Sequence, residues 1–163
     1  MKNSSDTETV RALLQHYAAR GAFRSFSEIP RASGRLVEFQ FLWFRDVRFR
    51  VTYSAATSTL TFVDVLPAVP PRSDMDRHLR GFIASRSDKS LPEHRRVDLK
   101  KVGVSVLNRK NSISIAFALR RRQIEYGTRK AVHLIHEVLM DFLNESQYVE
   151  YNIDYFNLNP EMA

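Results

Sequence analysis

Apolar residues recur along this chain with two different periods, and the order of those periods constrains the fold more than any single motif does. A helical stretch comes first, then three alternating strands, a second helical stretch, two more alternating strands and a long closing helix. Ser5 and Glu8 have the spacing of a capping box, and Val10, Leu13, Leu14, Tyr17 and Ala18 follow as one apolar stripe that should end near Gly21. After a linker holding Pro30, Ser33 and Gly34, Val37, Phe39, Phe41 and Trp43 alternate with Glu38, Gln40 and Leu42. Arg45-Asp46 predicts a short turn, and Val47, Phe49, Val51 and Tyr53 answer against Arg48, Arg50 and Thr52; Leu60 to Val65 completes a meander.

Leu66-Pro67-Ala68-Val69-Pro70-Pro71 fits neither a central strand nor a helix interior, because each proline lacks the amide donor and fixes its own φ, so it predicts a crossover. Ser73 and Asp76 mark the next helix start, with Met75, Leu79, Phe82 and Ile83 on one face. A polar loop over 85–96 leads to Val102, Val104 and Val106, a turn at Asn108-Arg109-Lys110-Asn111, and a return strand through Ile113, Ile115, Phe117 and Leu119. The closing helix, from about Thr128 to Asn144, carries Ala131, Leu134, Ile135, Val138, Leu139 and Phe142 on a face broad enough to cover a sheet. Beyond it Val149, Tyr151, Ile153 and Tyr155 alternate with Glu150, Asn152 and Asp154, so 147–163 is expected to form an extra strand or an extended arm laid on its own subunit or on a dimer mate. The expectation is one α+β domain over 1–163, with the order α-β-β-β-α-β-β-α and an antiparallel meander sheet covered by helices.

That order resembles the fold of type III secretion chaperones, and in detail it is similar to the YbjN-like bacterial proteins that share it. The residues that carry the resemblance are Leu60 to Val65 running into Leu66-Pro67-Ala68-Val69-Pro70, the amphipathic helix after it, the hairpin 102–119 and the long helix beyond. The resemblance implies a small homodimeric binding or chaperone-like module, without cofactor, whose partner is unidentified. Two departures stand out. The chain is basic where the secretion chaperones are acidic, and Ala84-Ser85-Arg86 occupies the end of the second helix, where YbjN-like proteins often carry Asn.

Composition narrows the classes of activity. With no Cys, disulfides, thiolate catalysis and cysteine-ligated zinc are excluded, which fits a reducing compartment, and the cytoplasm is the expected location. No apolar run reaches the roughly 18 residues that span a bilayer, and Met1-Lys2-Asn3-Ser4-Ser5 does not lead into the apolar core of a signal peptide. The net charge of +7 is uneven: from Glu137 onward there are six acidic residues and no Lys or Arg, which leaves 25 basic against 12 acidic residues before it. Nineteen of the basic residues are Arg, whose planar fork suits phosphate or carboxylate.

Motif spacing points away from chemistry. His133, His136 and Glu137 form His-x-x-His-Glu with Asp141 a turn beyond, but the metalloprotease order His-Glu-x-x-His is absent and no metal site is expected. No Gly-x-Ser-x-Gly elbow occurs, and Gly21, Gly34, Gly81, Gly103 and Gly127 are too scattered for a phosphate loop. Arg20-Gly21-Ala22-Phe23-Arg24-Ser25-Phe26 is similar to part of an RNA-recognition octamer, yet it follows a helix instead of the required strand. Two non-enzymatic readings remain. In one, Met75, Leu79, Phe82 and Ile83 form the interface of a homodimeric protein-binding module; in the other, Arg48, Arg50, Arg120, Arg121, Arg122, Arg129 and Lys130 hold nucleic acid or another polyanion.

Overall fold

The computed structural model describes residues 2–30, 36–44 and 46–156. Helix α1 (Lys2–Ala19) begins three residues before the predicted cap. Ser5 lies inside it, with its carbonyl accepting from Thr9 Oγ1 at 3.1 Å, and Glu8 pairs with Arg11 and does not turn back on the helix start. The stop falls where expected. Gly21 takes φ +86°, its amide donates to Ala18 O and the Ala22 amide to Tyr17 O, which is the paired bonding of a Schellman cap.

Six antiparallel strands follow: β1 (Arg24–Ile29), β2 (Leu36–Trp43), β3 (Val47–Ser54), β4 (Thr59–Leu66), β5 (Val102–Arg109) and β6 (Ser112–Leu119), in the spatial order β1-β2-β3-β4-β6-β5. Strand β1 is an addition to the predicted order. Its sequence Arg-Ser-Phe-Ser-Glu-Ile has only two apolar residues three apart, and the register slips between Arg24 and Ser27, with Ser25 at φ +52°, so the two-residue period is lost in the sequence. The predicted linker residues Ser33 and Gly34, and Arg45 of the β2–β3 turn, lie outside the described residues.

The crossover after β4 leads to helix α2 (Asp74–Ser85), whose start is capped by Ser73 accepting from the Asp76 amide, as its sequence predicts. Strands β5 and β6 join through Lys110-Asn111, both with positive φ, the geometry of a tight hairpin. Helix α3 (Ile124–Glu137) begins four residues ahead of the expected Thr128 and runs on through a π turn over Val138–Phe142.

The tail corrects the sequence reading. Instead of a strand or extended arm, residues 146–155 make a 3₁₀ turn and a short helix α4 (Val149–Tyr155) on the chain's own core. Helical spacing puts Tyr148, Tyr151, Asn152 and Tyr155 on one flank. The Tyr151 hydroxyl donates to Pro67 O at 2.5 Å, and Asn152 Nδ2 donates to Leu143 O at 3.4 Å. Those anchors favour the helix over the alternation of Val149 and Ile153, which are left exposed.

Register shows which face is covered. Phe39 pairs with Val51, Val51 with Phe62, Phe62 with Ile115 and Ile115 with Val106, so these residues share one face, and they join Val10, Leu14, Leu79, Ile83 and the α3 residues in a single core. The opposite face reads Glu38, Thr52, Thr61, Ala116 and Ser105 along a neighbouring row, mostly polar and without a helix of its own among the described residues, although Glu38, Thr52 and Ala116 are themselves buried.

Candidate interaction edge

The stripe predicted to be an interface is interior. Leu79 is 0% exposed and Ile83 9%, while Met75 and Phe82 are half-buried against the same core. What covers them is the stretch that closes the chain: Phe82 packs on Phe142 with ring centres 5.5 Å apart, and the Tyr148 hydroxyl lies 2.5 Å from His78 Nδ1. A short amphipathic helix reads the same in sequence whether its own tail or a partner closes it. Leu79 is therefore not open to a partner, and Ile83 shows only its margin, beside β5.

The predicted polyanion residues separate into two groups. Arg48 and Arg50 project from the uncovered face of β3, and Arg50 Nε lies 3.5 Å from Glu38 Oε1. Arg120, Arg121 and Arg122 are exposed in the turn before α3, and the Arg120 guanidinium lies over Gly103. Because Ser54 aligns with Thr59 and Thr59 with Ala118, Arg50 and Arg120 are separated by roughly 20 Å along the strands, in addition to two strand spacings. Arg129 pairs with Glu125, and Lys130 Nζ donates to His94 O at 3.0 Å. Phe39, Phe41, Trp43, Phe49 and Tyr53 all face the core, so the uncovered face offers no aromatic platform for bases.

On α3, Glu137 is 4% exposed and lies between Arg86, whose Nη1 donates at 3.0 Å, and His133, whose Nε2 is 3.2 Å away. Burial alone would push the Glu137 carboxyl up, but the close approach of His133 and the Arg86 hydrogen bond outweigh it and hold the carboxyl below its ordinary value. His136 turns instead to the Trp43 and Phe44 rings; its burial and the nearby His133 lower its pKa. Among the described residues no three His, Asp or Glu side chains gather as a metal would need. This cluster fastens the end of α2 to α3.

A different surface holds one of the two end strands of the sheet. Strand β5 ends the sheet: it pairs with β6 on one side, and on the other lies a cleft of about 520 Å³ between β5 and α2. Ile83, Ala84, Val97, Leu99, Val104 and Val106 make its wall largely apolar, and Leu99 is half exposed there. Val106 O faces this cleft, since Arg80 Nη1 donates to it at 3.1 Å. By the two-residue repeat of an antiparallel edge, the amide and carbonyl of Val104 point the same way. Arg80 is held in place through Asp76, whose carboxylate accepts from Arg80 Nε at 2.7 Å and from Asn108 Nδ2 at 2.6 Å. Burial would raise the Asp76 carboxyl, but those two bonds bring it below its ordinary value, so it stays charged and keeps Arg80 aimed at the edge.

The alternation of Val102, Val104 and Val106 marks β5 as a strand, but nothing local says that it ends the sheet, and this site is absent from the sequence reading for that reason. No helix among the described residues is long and apolar enough to cross a membrane. Compared with protein-family models, with curated proteins and with solved structures, the chain matches none.

Proposed function

We propose that this protein acts by binding and not by chemistry, as an interaction module that takes an extended segment of a partner polypeptide along β5. One observation carries the reading: an edge strand whose outward backbone groups at Val104 and Val106 lie beside an apolar cleft. An added strand would gain main-chain hydrogen bonds from the edge and place alternate side chains against Ile83 and Ala84. This is binding of the kind that the resemblance to chaperone-like proteins implies, with a heterologous partner in place of the homodimer.

Amide hydrogen exchange tests it, with a panel of eight-residue peptides of alternating Val and a polar residue as the probe. Binding should slow exchange at Val104 and be lost in Val104→Pro, a position whose amide faces away from β6 and so gives up no bond of the fold. Protection on the uncovered sheet face with Val104 unchanged would overturn the reading. A second reading, a polyanion site, draws support from the exposed Arg120, Arg121 and Arg122 beside an α3 N-terminus that has no side-chain cap.

A further inference from the structure

Resting on the reading of β5 as a docking edge, we infer that the segment it selects alternates apolar residues with Asp or Glu, and that the occupant is an acidic polypeptide and not a second copy of this chain. The pleat sets the first half of this requirement. A strand laid against β5 sends every second side chain to the face that holds Val104, Val106 and Ile83, where a charge would lose its water without a partner. The intervening side chains point the other way, toward solvent and the rim.

That rim is basic at both ends. Where the chain enters β5, the hollow that adjoins the cleft is lined by Lys89, Arg96 and Lys100. Arg109 and Lys110 stand exposed where the chain leaves β5, whereas Arg80 lies on the α2 side, engaged by Asp76 and Val106 O. Asp98 and Asp88 keep their charge and partly offset the entry-end cations, but Lys89, Arg96 and Lys100 outnumber them. Asp98 accepts from the Lys100 amide at 3.0 Å, Asp88 accepts from the Ser90 amide at 2.8 Å, and Asp76 is buried under Arg80. Strand β5 runs extended from Val102 to Arg109, about 23 Å, between the turn that holds Lys100 and the turn that holds Lys110, so a segment of seven or eight residues has cations at both its ends.

The same charges argue against self-pairing. Two copies of β5 joined antiparallel with Val104 of one opposite Val106 of the other, about a two-fold axis at Ser105, would set Lys101 against Arg109 and Lys100 against Lys110 at each end. Like charges directly opposite on paired strands are destabilising. An acidic segment meets attraction at each of those points.

Fluorescence anisotropy with three labelled octapeptides, Val alternating with Glu, Gln or Lys, decides the matter on the full chain. The Val/Glu peptide should bind at least about tenfold tighter than Val/Gln at 50 mM salt, with the gap closing by 200 mM, and Val/Lys should not bind. The double change Lys100→Glu and Arg109→Glu, at two exposed positions, should reverse the order in favour of Val/Lys. Equal binding of Val/Glu and Val/Gln would overturn the acidic selection while the docking edge stands. Failure of all three peptides, with Val104 exchange unchanged, would overturn the edge itself. Concentration-dependent dimerisation that Val104→Pro abolishes would make the occupant a second copy and overturn the inference.

Discussion

Glu137 and Asp76 show how single charged side chains shape this fold from inside. Each is buried, each is held by an arginine on α2, and each is kept charged by hydrogen bonds that overcome the cost of desolvation. Because the folded value for Glu137 lies below the unfolded one, its contribution is fully present above the ordinary carboxyl value of 4.5 and is lost as pH falls through the folded value. Glu137→Gln removes the charge but leaves Arg86 in place with its side chain only 16% exposed. Urea unfolding at pH 7 should show a loss of about 3 kcal/mol with an unchanged slope, and the variant should lose less stability than the parent on going from pH 6 to pH 3. An unchanged midpoint at pH 7 would mean that the pair contributes nothing net. Neither role was readable beforehand: His133, His136 and Glu137 suggested a ligand set by spacing alone, and Arg86, the partner that explains Glu137, lies 51 residues away.

Among the elements, α4 illustrates how period and environment compete. Val149, Tyr151, Ile153 and Tyr155 alternate cleanly, yet the segment is helical because Tyr148, Tyr151 and Asn152 find partners on its own subunit only with helical spacing. A chain ending at Ser146 would uncover Phe142, whose ring lies 4.8 Å from that of Tyr148, and would free His78 and Pro67 O. Removing one large aromatic cover and two part-buried hydrogen bonds should cost about 3 to 5 kcal/mol, lowering the melting temperature by about 10 °C for a chain of this size. A shift below 2 °C would show that the tail does not stabilise the core. Strand β1 is the converse case: its weak pattern concealed a strand that Phe26 secures by stacking on Phe39 and Phe41.

Across the molecule as a whole, charge is divided by the sheet. Arg48 and Arg50 stand far along the strands from Arg120, Arg121 and Arg122, so a single-stranded oligonucleotide of a few bases reaches one group and not both. Three phosphate contacts at Arg120 to Arg122 give a slope of log affinity against log salt of about −2. A slope of −5 or steeper for a short oligonucleotide would require the two groups to act together and would contradict this arrangement.

The order of periods was enough to establish the α+β class, the meander, the Ser73 cap, the crossover at Pro67 to Pro71 and a hairpin turn within 108–111, which the structure narrows to Lys110-Asn111, because each depends on contacts or dihedrals within a few residues. The burial of Leu79 and Ile83, the helical tail, the pairing of Arg86 with Glu137 and the placing of β5 at the end of the sheet all depend on which distant segments meet. An apolar stripe is the same string of residues whether it faces its own core or a partner, and a strand carries the same alternation at an edge as in the middle. Only long-range packing separates those cases, and in this protein it buries Leu79 under the chain's own core and leaves β5 at the end of the sheet.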